Sequence, residues 1–91
     1  YLNLSLEDAF AKTLKIVGNM GWEIFATDEN KQIIEAIDVT PFFRFKDDIV
    51  IRVTSTDTGS RIDIRSQSRV GRSDLGKNAS RIRSFIANFS D

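Results

Sequence analysis

The chain of 91 residues contains no histidine and no cysteine, and only one proline. The missing histidine removes the commonest general base and the commonest metal ligand together. The missing cysteine excludes disulfide support and leaves the redox compartment unreadable. No apolar run approaches the roughly 18 residues that a membrane-spanning helix needs, and no signal sequence is visible. The glycines fit neither the GxxxxGK phosphate loop nor the dinucleotide fingerprint. The sequence therefore assigns no catalytic residue, no metal ligand and no cofactor.

What is present describes one small domain, 1–91. An apolar content of 41% with a single proline fits a folded globule rather than a disordered chain. The chain begins at Tyr1 rather than methionine, which reads as a processed or excised piece of a longer protein. A net charge of zero hides an asymmetry. Residues 1–43 hold three lysines against seven acids, a balance of −4; residues 44–91 hold eight arginines and two lysines against six acids, a balance of +4. Every arginine lies in the second half. Arginine makes bidentate contacts with carboxylate and phosphate, so this half is where an anion would be recognised. The competing reading pairs these arginines with acids across a solvated sheet face.

Helical spacing predicts a first helix over 6–19, with Ser5 as N-cap, Asp8 and Lys12 as an i,i+4 ion pair, and Asn19 and Gly21 as terminators. Residues 22–27 and 32–39 read as one hairpin around a polar turn, and residues 48–55 and 60–68 as a second around Asp57-Thr58-Gly59, with glycine at a left-handed position. Pairing Ser55 with Ser60 sets Arg52 opposite Asp63 and Val53 opposite Ile62. Arg61, Asp63, Arg65, Gln67 and Arg69 then face outward. Ser73 caps a second helix whose apolar stripe is Leu75, Ala79, Ile82, Ile86 and Phe89, widened by Phe85, with Lys77 and Arg81 exposed. The order α-β-β-β-β-α predicts an α+β fold: a two-layer sandwich in which both helices cover one face of an antiparallel four-stranded sheet.

Two segments offer binding residues. In the link between hairpins, Phe42, Arg44 and Lys46 share one face of an extended chain, and an aromatic beside arginine is typical of an interface anchor. In the strand-to-helix junction, Arg69, Arg72 and Ser73 surround a helix start, although Asp74 already complements the helix dipole there. Asp48 and Arg65 border these segments and complete the candidate set. Asp47 and Asp48 are adjacent carboxylates, but neighbours in a strand point to opposite faces and cannot converge on one ion. Nucleic acid is a poor fit, because the domain is neutral and most phenylalanines fall on apolar stripes.

The runs Gly21-Trp22-Glu23-Ile24, Ile34-Glu35-Ala36, residues 40–48 and residues 65–76 together resemble the group catalogued as domain of unknown function 1499. That group occurs mostly in bacteria and also in photosynthetic eukaryotes. Many relatives have tryptophan at the position of Phe42, and many carry a preceding portion with cysteines after a signal or anchoring segment. The resemblance therefore implies a periplasmic or membrane-associated setting of the cell envelope, and makes this chain the C-terminal part of a longer one. It supplies no catalytic residues.

Together these readings describe a non-enzymatic binding or interaction module. Its partner is an anionic small ligand, a lipid headgroup or an acidic protein surface. The alternatives are an enzyme on small anionic substrates, or a subdomain packed on an absent N-terminal portion.

Overall fold

Leu6, Ala9, Phe10, Thr13 and Val17 recur on one helical face, and in the computed structural model they build helix α1, Leu6–Asn19. The structure describes residues 1–39, 46–68 and 75–90. Ser5 has extended backbone, and its hydroxyl accepts the Asp8 N–H at 3.2 Å, so it caps the helix as its chemistry predicts. At the other end Gly21 takes φ 78°, the Gly21 N–H donates to the Gly18 carbonyl, and the Trp22 N–H donates to that of Val17. This is how a left-handed glycine closes a helix. Lys12 forms no ion pair with Asp8; its ammonium lies 5.8 Å from the centre of the Phe89 ring.

Strands β1 (Glu23–Asp28), β2 (Ile33–Val39), β3 (Lys46–Thr56) and β4 (Gly59–Ser68) form one antiparallel sheet in chain order, followed by helix α2 (Leu75–Ala87) and a short 3-10 turn at Asn88–Ser90. The predicted α+β architecture is the observed one. The β3–β4 register also matches: Ser55 faces Ser60, Arg52 faces Asp63 and Val53 faces Ile62. Two details were not legible. β3 starts at Lys46 rather than Asp48, and β1 carries a bulge between Ile24 and Ala26.

Alternation divides the sheet into two faces. Ile34, Ala36, Ile49, Ile51 and Val53 point inward and are buried with Ala9, Phe10, Ile16 and Val17 of α1 and Phe85 of α2. Trp22 joins this core, its ring stacked 5.6 Å from that of Phe85. The outer face carries no helix among the described residues. It presents Ile33, Glu35, Ile37 and Val39 from β2, Lys46, Asp48, Val50 and Arg52 from β3, and Arg61, Asp63, Arg65 and Gln67 from β4.

β4 is an edge strand, and the N-terminal segment lies against its start. The Leu2 N–H donates to the Ser60 carbonyl at 2.8 Å, and the Ser60 N–H returns a bond to the Leu2 carbonyl at 2.9 Å. This strap explains Gly59 differently from the turn chemistry alone. Gly59 has φ 155° rather than a left-handed helical value, and a Cβ there would sit 2.0 Å from the Leu2 carbonyl oxygen. Gly59→Ala is accordingly expected to displace the strap and to cost about 1–3 kcal/mol, the usual range for overpacking and backbone strain. Urea unfolding gives the cost, and amide exchange at Leu2 and Ser60 reports the strap. Unchanged exchange at both would show that the strap accommodates the methyl.

Candidate functional site

Two polar arrangements stand out, one on each face of the sheet. On the outer face, ladder pairing brings Arg52 of β3 beside Asp63 of β4, with Arg61 and Arg65 two residues to either side of Asp63. Together with Ile33 and Val50 they line an open basin of about 530 Å³. Asp63 does not pair across the ladder. Its carboxylate accepts from Arg61 Nε on its own strand at 3.1 Å. Both groups are exposed, so this pair contributes little to stability. A hydrogen bond with the Tyr1 side chain, then the Asp63 carboxylate, raise the pKa of Arg61 above its ordinary value and hold it charged. Arg52 and Arg65 have no carboxylate within ion-pair distance among the described residues. The basin thus holds three guanidiniums against one carboxylate, over a floor with two β-branched side chains.

On the inner face, at the end of the sheet, lies a cluster that sequence reasoning missed. Asp38 of β2 and Asp47 of β3 are direct ladder partners with both side chains toward α2. Like charges placed opposite each other destabilise a sheet. Here Arg81 of α2 resolves the conflict. Its Nη2 lies 2.6 Å from Asp47 Oδ2 and 2.9 Å from Asp38 Oδ2, its Nε donates to Asp38 Oδ2 at 3.1 Å, and its Nη1 donates to Ser66 Oγ of β4 at 2.8 Å. One guanidinium therefore ties three strands to the second helix. Asp47 is 2% exposed and Arg81 7%, so the pair is desolvated. Arg81 is thus not the exposed residue that its charge suggests. The only signal in the sequence was the pairing of Asp38 with Asp47, which follows from the β2–β3 register and calls for a cation.

The predicted site residues separate. Lys46 is exposed at the start of β3, opposite Val39. Asp48 is half-buried on the outer face between Ile37 and Gln67, turned away from Asp47 as strand alternation requires. Arg65 is exposed opposite Val50 and belongs to the basin. The structure thus places Lys46, Asp48 and Arg65 on one face. Phe42, Arg44, Arg69, Arg72 and Ser73 lie outside the described residues. No helix among the described residues is long and apolar enough to cross a membrane.

Comparison with known proteins agrees with the sequence resemblance. The model of the family described as "Protein of unknown function (DUF1499)" matches residues 1–89. No curated protein and no solved structure matches the chain.

Proposed function

The chain belongs to the DUF1499 family, a family of unknown function, and on that premise we propose that it is a non-enzymatic module that binds an anionic partner on the outer face of its sheet. The observation that carries this reading is the imbalance in the basin: among the described residues Arg52 and Arg65 have no carboxylate partner, and Asp63 is already engaged by Arg61. Guanidinium forks match carboxylate and phosphate oxygens bidentately, and charge-assisted bonds of this kind are about twice as strong as neutral ones. Lys46, on the same face, adds positive charge toward the segment that carries Phe42 and Arg44. The proposal extends to those two residues, and to Arg69, Arg72 and Ser73, on their chemistry alone. Within the family resemblance, the partner is a lipid headgroup, an anionic small molecule or an acidic protein surface of the envelope.

A thermal-shift and NMR titration with inorganic phosphate and with a dicarboxylate tests this. A ligand that binds only the native state raises its melting temperature by mass action. Phosphate also stabilises proteins by exclusion from their surfaces, so the decisive comparison is with a variant. The expected result is that Arg52→Ala with Arg65→Ala abolishes the amide shifts at Val50, Arg61 and Asp63 and the saturable part of the melting shift. The unliganded stability of this exposed double variant should change by less than about 1 kcal/mol. Identical titrations of wild type and variant would remove the basin from consideration.

A second reading has its own observation. Ile33, Ile37 and Val39 line the outer side of β2, with Val50 beside them, a stripe that polar dressing of a solvated face does not explain. On this reading the outer face packs on another polypeptide surface, and the chain is a structural subdomain. Substitution of Ile37 by serine would then weaken that assembly while leaving phosphate titration unaltered.

A further inference from the structure

We propose that a second copy of this chain pairs along the free edge of β4, antiparallel and centred on Ile64, joining two four-stranded sheets into one. This goes beyond the anion-binding reading: it shares Asp63 and Arg65 with the basin but stands on the main-chain edge of β4, and its readout at the Ile64 amide is separate from any anion titration. The Leu2 strap fixes the geometry of the edge. Ser60 directs both of its main-chain groups away from β3 to Leu2, so alternate residues of the same strand, Ile62 and Ile64, do likewise. Neither has a main-chain partner on that side among the described residues. The described part of β4 contains no proline and pairs with β3 in unbroken register, so beyond the Leu2 strap its edge is guarded only by the charges of Arg61, Asp63 and Arg65.

The side chains flanking Ile64 select the occupant. Asp63 and Arg65 stand on the outer face on either side of it. A two-fold axis through Ile64 sets each Asp63 opposite the partner's Arg65, and does so twice. Opposite charges across a ladder stabilise it and like charges oppose it. Neighbouring registers fail on these grounds. An axis through Asp63 sets Asp63 against its own copy and Arg61 against Arg65; an axis through Arg65 sets two arginines together. An axis through Ile62 needs the edge of Ser60, which Leu2 occupies. The segment Asp63-Ile64-Arg65 is thus its own antiparallel complement.

Packing on the inner face agrees. Between β4 and α2 lies a groove of about 260 Å³ lined by Leu2, Ile62, Ile64, Phe85, Ile86 and Phe89, with Ile86 54% exposed. The two-fold axis runs perpendicular to the sheet, so the partner's Ile64 arrives on this same apolar side. The Leu2 strap ends the ladder on each side, which keeps the contact short and the dimer dependent on concentration. On the outer face the two arginine basins become neighbours, and each Asp63 lies between its own Arg61 and the partner's Arg65.

Sedimentation equilibrium over about two decades of concentration, with amide exchange at Ile64, tests the pairing. The expected result is a reversible dimer in which the Ile64 amide becomes protected as concentration rises. Asp63→Arg alone and Arg65→Asp alone each convert both attractive pairs into repulsive ones and should raise the dissociation constant about tenfold. The double exchange restores complementarity and should return it to near the wild-type value. Circular dichroism confirms that each variant is folded. A monomer up to about 1 mM overturns the proposal, as does a dimer that leaves Ile64 exchange unchanged or a double exchange no better than the single variants.

Discussion

Replacing Arg81 by leucine is expected to destabilise the fold by about 3–5 kcal/mol, the range for removing one partner from a buried ion pair. The whole stability of such a domain is about 5–15 kcal/mol, so this one change brings the chain close to unfolding. The size follows from what is left behind. Asp47 is 2% exposed, and its ladder partner Asp38 faces the same side, so removing the guanidinium takes a charged donor from a buried carboxylate and leaves it opposed to a second one. Arg81→Lys should lie between wild type and leucine, because an ammonium cannot reach Asp38, Asp47 and Ser66 in the fixed geometry of a fork. Adding Asp47→Asn to Arg81→Leu should recover part of the loss, since it removes the like-charge opposition of Asp47 to Asp38. Recovery would show as a coupling energy in the double-mutant cycle. Urea unfolding measures each term. A loss below about 1 kcal/mol for Arg81→Leu would mean that water reaches the cluster freely.

This cluster also marks where the sequence stopped being legible. The register of the second hairpin was readable because alternation and turn chemistry are local: Ser55 opposite Ser60 fixed the whole β3–β4 ladder, and Ser5 and Gly21 fixed the ends of α1. Whether a charged side chain is buried is a property of what packs above it, and that is not local. The charge of Arg81 predicts a solvent position, and apolar spacing alone runs the buried stripe of α2 through Ala79 and Ile86, both of which are exposed. The row that faces the sheet is Arg81, Phe85 and Phe89, at i, i+4 and i+8, with Ile82 half-buried beside it. Recognising Asp38 and Asp47 as inward ladder partners would have turned the helix to its observed orientation.

The candidate site was legible in proportion. Arg61 and Arg65 point outward, as alternation in β4 required, and Arg52 sits opposite Asp63 as the register required. The choice of ion pair was not legible, because a contact along the strand between Arg61 and Asp63 competes with the one across it. The apolar side of the outer face was missed for a different reason. β2 reads Ile-Ile-Glu-Ala-Ile-Asp-Val, apolar on both faces, so its pattern does not say which side is covered.

The orientation of α2 makes Phe85 the second position where a large effect is expected. Phe85→Ala should cost about 3–5 kcal/mol, the usual range for truncating a buried aromatic ring. Phe85 is 0% exposed, stacks on Trp22 at 5.6 Å and meets the edge of Phe89 at 5.1 Å, so its loss leaves a cavity bounded by two other rings. Phe85→Leu keeps much of the volume and should cost less than about 1.5 kcal/mol. Ile86→Ala, one residue along but 54% exposed, should change the monomer by about 0.5 kcal/mol or less. The contrast between 85 and 86 separates the observed helix orientation from the one its apolar pattern suggested, which puts both residues on the buried stripe and expects a substantial loss at each. Trp22 is the only tryptophan and reports the stack directly. In the folded fraction, Phe85→Ala should shift its emission toward the red and weaken its near-ultraviolet dichroism, whereas Arg81→Leu should leave both unaltered. Arg81 and Phe85 hold the same helix to the same sheet one turn apart, so their costs should not add. Once α2 has lost its aromatic anchor, the ionic anchor no longer has a fixed helix to hold, and the double variant should fall short of the summed single losses.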